Sequence, residues 1–436
     1  MNTKIITQEQ KAWIVTADMG YGHQRAAYPF RSIAKERIIT ANSDTIVSTK
    51  EKKMWSQFQR FYETVSRLGR IPVIGGILWH IYDSFQKISP FYPFRNLSKP
   101  SFGSLHLNRM LKKGFAESVP EYTKQEPLPF LTTFFAIALA ADRLGLNNVF
   151  CVVTDSDINR IWVANKPKES NITYFAPTQR AQKRLLLYGV PESKVYFTGF
   201  PLPEENTRTV RDDLAERLKI LDPKNVFQTK YKALINSELG PLPDTSRPLT
   251  IVFAVGGAGA QAEIAKDILY SLKSELQANR ICLHLVAGTR LEVNNYFKSI
   301  IAEVGLASEL GKTVHILTAL SKTQYFEKFN QTIKKADILW TKPSELSFYC
   351  ALGLPIIMTP PIGSHEICNS DWLIKTGAGI TQEDPKATVD WLYEWRDRGL
   401  LAHAAFDGFY RAPRYGTENI KNLIFTANKS SIKIRI

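Results

Sequence analysis

Cysteine is scarce in this chain of 436 residues: Cys151, Cys282, Cys350 and Cys368 stand far apart, with no Cys-x-x-Cys pair. That excludes a disulfide scaffold, and the four read as core thiols in a reducing compartment. Long apolar runs are missing too. The longest, near residues 71–81 and 127–141, fall short of the roughly 20 residues that cross a bilayer. The opening MNTKIITQEQKAW lacks the charged-then-apolar order of a secretory signal. A cytoplasmic protein is therefore expected. There is no low-complexity tract or short repeat, which excludes fibrous and solenoid architectures. Acid is in deficit, with 41 Asp and Glu against 56 Lys and Arg. Two segments hold nearly all of the resulting excess. Residues 50–113 carry twelve basic side chains against three acidic, and residues 409–436 carry six against one. The length is enough for two domains, each with its own core.

Against these absences, one stretch is dense in polar and turn-forming residues: TKPSELSFYCALGLPIIMTPPIGSHEICNSDWLIKTGAG, residues 341–379. A helical segment (344–352) leads through Gly353 into a buried strand (354–358). A polar loop then opens a helix that closes at Gly377. Loops at the carboxyl ends of parallel strands are where ligands sit in open α/β sheets. Glu345, Ser364, His365, Glu366 and Asn369 are thus candidates for one ligand site, with turn and cap chemistry as the alternative.

Earlier in the chain, AWIVTA (12–17) reads as a buried strand running into Asp18-Met-Gly20-Tyr-Gly22-His23, after which a helix begins. Such a turn aims backbone N–H groups and a helix dipole at an anion or hydroxyl. A histidine at its mouth can take a proton from an alcohol. Residues 50–113 interleave aromatic and basic side chains. Trp55, Phe58, Phe61, Tyr62, Val65 and Leu68 recur at helical spacing, and Trp79, Tyr82, Phe85, Phe91, Tyr92 and Phe94 follow among Lys87, Arg95 and Lys99. The mixture suits an interfacial membrane element, with an ordinary core-packed insertion as the alternative. No nucleic-acid motif accompanies it. A second strand (149–154) ends in Asp155-Ser-Asp157. A strand, helix and strand then occupy 172–176, 178–188 and 194–198. Residues 203–248, polar and bounded by prolines, read as a connection with an accessory helical segment.

From Leu249 onward strand and helix alternate, with strands at 249–255, 281–287, 313–317, 336–341 and 354–358, the pattern of a doubly wound parallel sheet. Its first turn is Gly256-Gly257-Ala258-Gly259-Ala-Gln261. Small residues there admit a diphosphate to backbone N–H groups. A dinucleotide site would want Gly-x-Gly-x-x-Gly and an acid closing the next strand. Here that strand ends in Ala287-Gly-Thr-Arg290, and Arg290 is placed to add charge near the phosphates.

Gly-x-Gly-His at 20–23, the VTD…W and A-T…K…L…G-V-P…K-V…T-G-P-L-like run over 152–203, and Lys-Pro, Ala-Leu-Gly-Leu-Pro, Glu-x-x-Asn and Gly-Ala-Gly over 342–379 together resemble a known family. It comprises the monogalactosyldiacylglycerol synthases, processive diacylglycerol glucosyltransferases and peptidoglycan N-acetylglucosaminyl transferase, the family 28-like glycosyltransferases. The resemblance implies a GT-B fold, α/β with two Rossmann-like domains facing across a cleft. It implies an inverting, metal-independent transfer of a hexose from a UDP-sugar co-substrate to a hydroxyl acceptor, lipid or lipid-linked, with no cofactor. His23 is then the base, Asp155 an orienting acid, and Gly20, Gly22 and Asn159 line the acceptor-side loop. Gly256, Gly257, Ala258, Gly259, Arg290, Glu345, Ser364, His365, Glu366 and Asn369 bind the donor. Asp157 would complete a chance Asp-x-Asp rather than a metal site.

The expected domains are 1–202 with the insertion at 50–113, a linker at 203–248, a nucleotide-sugar domain at 249–400, and 401–436 returning to the first. The insertion and the basic tail would touch an anionic membrane surface on the cytoplasmic side. Departures mark the donor half. Ser344-Glu345 replace two glycines, Phe348 stands where a ribose-binding glutamate is usual, His365 replaces a glutamine, and Asn159 replaces a histidine. A UDP-N-acetylglucosamine 2-epimerase-like enzyme and a catalytically silent sugar-nucleotide or lipid binder are the alternatives.

Overall fold

The computed structural model describes residues 10–68, 87–256, 259, 261–426 and 434–435, with the side chains of 61–68 outside the description. The chain forms two compact units, Met1–Pro201 with Tyr415–Arg435, and Leu202–Arg414. Each is a six-stranded, wholly parallel α/β sheet.

The first sheet contains β1 (Ala12–Thr16), β2 (Ala34–Thr40), β3 (Phe130–Thr132), β4 (Val149–Val152), β5 (Thr173–Ala176) and β6 (Val195–Phe197). Its spatial order is β2-β1-β3-β4-β5-β6. A parallel sheet covered on both faces reads as unbroken apolar runs, and AWIVT, FLT, VFCV and TYFA are buried at every position. Alternate residues serve opposite faces. Trp13 and Val15 join one core with Trp55, Phe115 and Phe134. Ala12 and Ile14 join the other with Ile420, Leu423 and Ile424 of the last helix, Gly416–Phe425. β2 and β3 escape a reading of the sequence. β2 is half polar (AKERIIT), and β3 has three residues inside a longer apolar run.

The second sheet contains β7 (Leu249–Ala254), β8 (Ile281–Gly288), β9 (Val314–Thr318), β10 (Ile338–Thr341), β11 (Ile356–Met358) and β12 (Gly379–Thr381), in the order β12-β11-β10-β7-β8-β9. Residues 203–248 are folded into this unit. Helix Val210–Leu221 buries Arg217, whose guanidinium donates to the carbonyls of Ala336 (2.7 Å), Leu352 and Gly353 (2.9 Å each). Helix Leu400–Arg411 also stays here, because Phe406 and His403 pack on Phe227. The chain thus rejoins the first unit at Tyr415 rather than near residue 401.

Of the aromatic segment, Trp55 lies on helix Thr49–Leu68 and is core. It packs on Phe115 at 4.4 Å, and its indole N–H donates to Glu51 Oε1 at 3.0 Å. Trp79, Tyr82, Phe85, most of the NKSSIKIRI tail, and the side chains of Phe61, Tyr62, Val65 and Leu68 lie outside the described residues.

Two buried carboxylates brace the sheets. Asp157, 0% exposed, accepts from Arg184 Nε (2.7 Å) and Nη2 (2.9 Å), Arg180 Nε (2.7 Å) and the Ile158 N–H (2.9 Å). Asp337 accepts both Arg247 Nη groups, at 2.7 and 2.8 Å, and the Thr250 N–H. Removing one member of such a pair strands the other's charge in the core. Asp157→Ala is expected to cost about 3–5 kcal/mol of unfolding free energy, read from the urea midpoint. A loss under about 1 kcal/mol, the worth of an exposed pair, would show that the cluster does not brace the sheet.

Candidate functional site

In an open parallel sheet, the crevice forms where successive connections leave in opposite directions. In the first unit that point lies between β1 and β3, and in the second between β7 and β10. The candidate residues collect at the carboxyl ends of these strands and their neighbours.

After β1 the chain turns through Gly20 (φ 106°) into helix Tyr21–Ala27, which carries Gly22 and His23. Asn42, beyond β2, pins the turn at two points: its Oδ1 accepts the Asp18 N–H at 2.8 Å, and its Nδ2 donates to the Asp18 carbonyl at 3.0 Å. His23 is half-buried, edge-on to Phe134 at 4.8 Å. Its Nδ1 lies 2.7 Å from the carbonyl oxygen of Thr133, just beyond β3. A carbonyl only accepts, so Nδ1 carries the proton and the neutral ring has its lone pair on Nε2. The Thr133 hydroxyl fixes the backbone from the other side, donating to the His23 carbonyl at 2.9 Å. Thr154, at the head of the Asp155 loop, places Oγ1 3.5 Å from Nδ1, and the Trp162 ring centroid is 6.3 Å from the imidazole. Asp155 and Asn159 are half-buried on that same loop.

In the second unit, Gly256 follows β7 and Lys342 follows β10. A β-carbon at Gly256 would sit 3.0 Å from Lys342 Cε, so a side chain there would push back the lysine that crosses the loop. Gly259 has φ +73°, and a β-carbon there would sit 3.0 Å from Val293 Cγ2. The glycine turn therefore abuts the first turn of helix Leu291–Glu303, at whose N-cap Arg290 stands. Gly257 and Ala258 lie outside the described residues. Arg290 is half-exposed and meets Glu292 at 3.3 Å. Gln261 ties this turn to the loop after β11. Its Nε2 donates to the Pro360 carbonyl at 2.9 Å, and its Oε1 accepts from Thr359 Oγ1 at 2.5 Å.

That loop closes on helix Ser364–Thr376. Glu366 is buried. It accepts from Lys342 Nζ at 2.5 Å and from the Ile362 N–H at 2.7 Å. Burial pushes its carboxyl up, but Lys342, His365 and the two hydrogen bonds outweigh this and hold it below the usual range. Asn369 is fully buried, donating to the Pro343 carbonyl at 3.3 Å. Ser364 and His365 are half-buried at the start of the helix, with His365 Nε2 3.9 Å from Glu366 Oε1. Glu345 is half-buried at the head of the 3₁₀ segment Glu345–Leu352. Phe348 is core, against Trp372 at 5.1 Å.

Thr133, Asn42 and Gln261 were not singled out by the sequence. Thr133 follows a strand too short to show a period, and the other two act through loops distant in sequence. Lys342 stood in the Lys-Pro motif without a role. An opposite charge 24 residues on was its one available signal.

A carboxyl held below its unfolded value stabilises the fold above that value and loses the contribution as pH falls through the folded one. The unfolding free-energy difference between wild type and Glu366→Gln should therefore be full at neutral pH and shrink below about pH 4.5, the ordinary glutamate value. A difference constant from pH 7 to 3 would contradict the Lys342–Glu366 linkage.

A family model described as "Domain of unknown function (DUF6938)" matches residues 243–390, the core of the second unit. Processive diacylglycerol beta-glucosyltransferase of Staphylococcus carnosus (strain TM300) is 22% identical over 414 residues, covering 92% of this chain and 88% of that protein. The protein of the same name from Bacillus subtilis (strain 168) is 22% identical over 277 residues, and the match spans only 60% of its length. Among solved structures, Acinetobacter baumannii MurG aligns with 95% of this chain and 99% of its own at 14% identity and a TM-score of 0.46. By its pair of parallel six-stranded units the chain is a two-unit α/β protein, and along most of its length its sequence is similar to the processive diacylglycerol beta-glucosyltransferases.

Proposed function

We propose that the protein is an inverting glycosyltransferase that moves a hexose from a UDP-sugar to the hydroxyl of a lipid acceptor at an anionic membrane surface, without a catalytic metal. The observation that carries this reading is the imidazole of His23, whose Nδ1–H···O=C bond to Thr133 leaves the basic nitrogen at Nε2. The names of the sequence relatives supply the hexose and the lipid.

In this reading Nε2 takes the acceptor proton as the oxygen attacks the anomeric carbon. The bond to the diphosphate breaks on the opposite face, and its electron pair leaves with UDP. Asp155 and Asn159 orient the acceptor, with Gly20 and Gly22 allowing it to approach the turn. Backbone N–H groups of the Gly256–Gly259 turn meet the diphosphate charge, joined by Arg290 and by Lys342 lying across the turn. Glu345 takes the ribose, and Ser364 and His365 take the sugar hydroxyls. Glu366 and Asn369 hold the loop that presents them. Asp157 is engaged by two arginines, so the Asp155-Ser-Asp157 sequence does not offer the paired carboxylates of a metal chelate.

UDP release from a panel of UDP-sugars, with and without total lipid extract and with and without EDTA, tests the reading. Lipid-dependent release that survives EDTA is expected. Lipid-independent turnover would point to an epimerase-like reaction or another acceptor, and UDP binding without release to a silent binder. His23→Ala should retain donor binding and lose about 10²–10⁴-fold in transfer. Equal losses of both would sink the base assignment.

The membrane surface proposed is the exposed ring pair of Tyr92 (68% exposed) and Phe94 (54%), centroids 5.2 Å apart, with Lys183 over the Phe94 ring at 5.1 Å and the exposed Arg95 next in the chain. Aromatic rings with adjacent cations suit a lipid headgroup layer. Among the described residues no helix is long and apolar enough to cross a membrane. The double variant Tyr92→Ser, Phe94→Ser should co-sediment several-fold less with vesicles containing phosphatidylglycerol, with its unfolding midpoint unchanged. Undiminished sedimentation would place the contact elsewhere.

A further inference from the structure

We propose that Cys282, His284 and His315 form a binding site for a zinc-class divalent transition-metal ion that clamps the edge strand of the second sheet. Cys282 and His284 are two apart on β8, which puts them on one face of the strand. His315 is the direct register partner of His284 on β9, the last strand of that sheet. One ligand atom from each of the three lies within 4.8 Å of the other two.

The geometry is that of a metal site rather than of a hydrophobic contact. Cys282 Sγ is 3.6 Å from His284 Nε2. With bond lengths of about 2.3 Å to sulfur and about 2.1 Å to nitrogen, a tetrahedral zinc ion sets these atoms about 3.6 Å apart. The two imidazoles are stacked, centroids 4.6 Å apart and 18° from parallel. His315 Nε2 is 2.9 Å from the Lys312 carbonyl oxygen, so that nitrogen carries the hydrogen and Nδ1 has the lone pair. A backbone carbonyl holding the far N–H is the support that metal-ligating histidines usually have. Both rings are half-buried and border the same cavity.

The chemistry of the donors agrees. Burial and the neighbouring His315 push His284 down to about 4, so its imidazole is neutral and ready to ligate at physiological pH. Burial pushes the Cys282 thiol up to about 11, so the ion binds by displacing the thiol proton to solvent. A cavity of about 250 Å³ opens on the two histidines, with Gln331 and Thr332 in its wall, giving an entry path and room for a water as fourth ligand. Lys328, also in the wall, is turned onto the Thr318 carbonyl at 3.1 Å.

A thiolate with two imidazoles selects a borderline-soft ion over magnesium or calcium. The site sits in the first half of β8, whereas Arg290 follows that strand's carboxyl end. At roughly 3.3 Å per residue, His284 lies about 13 Å before Gly288. The ion therefore acts as a clamp between β8 and β9 and takes no part in the proposed transfer.

Cobalt(II) titration of the full chain, freed of metal by dialysis against chelator, tests this. One equivalent should bind with a thiolate-to-cobalt charge-transfer band and tetrahedral d–d bands, and zinc should abolish both. Cys282→Ser should lose the charge-transfer band, and His315→Ala should weaken binding about 10-fold or more. Zinc should raise the thermal midpoint of wild type but not of either variant, while Cys282→Ser keeps its UDP-release rate. No saturable band in wild type, or cobalt binding of equal strength in Cys282→Ser, would overturn the site and leave the three side chains as an ordinary thiol–imidazole packing cluster.

Discussion

Parallel strands cannot be joined by tight hairpins, and this one constraint organises both units. Each connection has to cross back over the sheet, which covers both faces and sends every strand-to-helix loop out at the same edge. The order β2-β1-β3 in one sheet and β10-β7-β8 in the other then opens a crevice beside the first strand of each unit. The imidazole of His23 and the Gly256 turn both follow that first strand. Their partners, Thr133 and Lys342, follow the strand across the crevice. The site residues come together because the topology leaves them no other edge.

What fixes these loops is a set of contacts between segments remote in sequence. The Thr133 carbonyl sets the tautomer of His23, and Asn42 pins the turn before it. Lys342 reaches over Gly256 to Glu366, and Glu366 in turn caps the loop through the Ile362 N–H. The last is a charge-assisted pair in a buried setting, where such bonds are strong and leaving one partner alone is costly. Glu366 thereby serves to shape the loop, on which Ser364 and His365 stand half-buried. The changed residues of the motif, Ser344-Glu345 and His365, stand around that loop, and under the proposed function they are where a change of sugar is expected. Phe348 has been absorbed into the core.

The basic-aromatic segment divides along the same lines. Trp55, with its indole N–H on Glu51, is a core residue of the first unit, while the rings at 92 and 94 stand out among lysines and arginines. Composition alone cannot separate a buried ring from an exposed one, because both stand in the same basic-aromatic stretch. Burial against Phe115 and Phe134 is what separates them.

The sequence by itself determined the architecture. Fully buried parallel strands are written as continuous apolar runs, and most of the later ones are readable to within a few residues. It also marked His23, the glycine turn and the 341–379 stretch, since turns that admit a ligand need glycine and polar side chains in short order. It missed β2, which is half polar, and β3 and β12, which are too short to show a period. It treated 203–248 as a connection although Arg217 locks that segment to three carbonyls of the second unit. Tertiary structure alone decided the protonated nitrogen of His23, the supporting role of Glu366, the structural role of Asp157 and the meeting of Cys282 and His284 with His315. Each depends on which strand lies beside which, and hydrogen bonds, ion pairs and ligand sets form between neighbours in space that the chain separates by tens of residues.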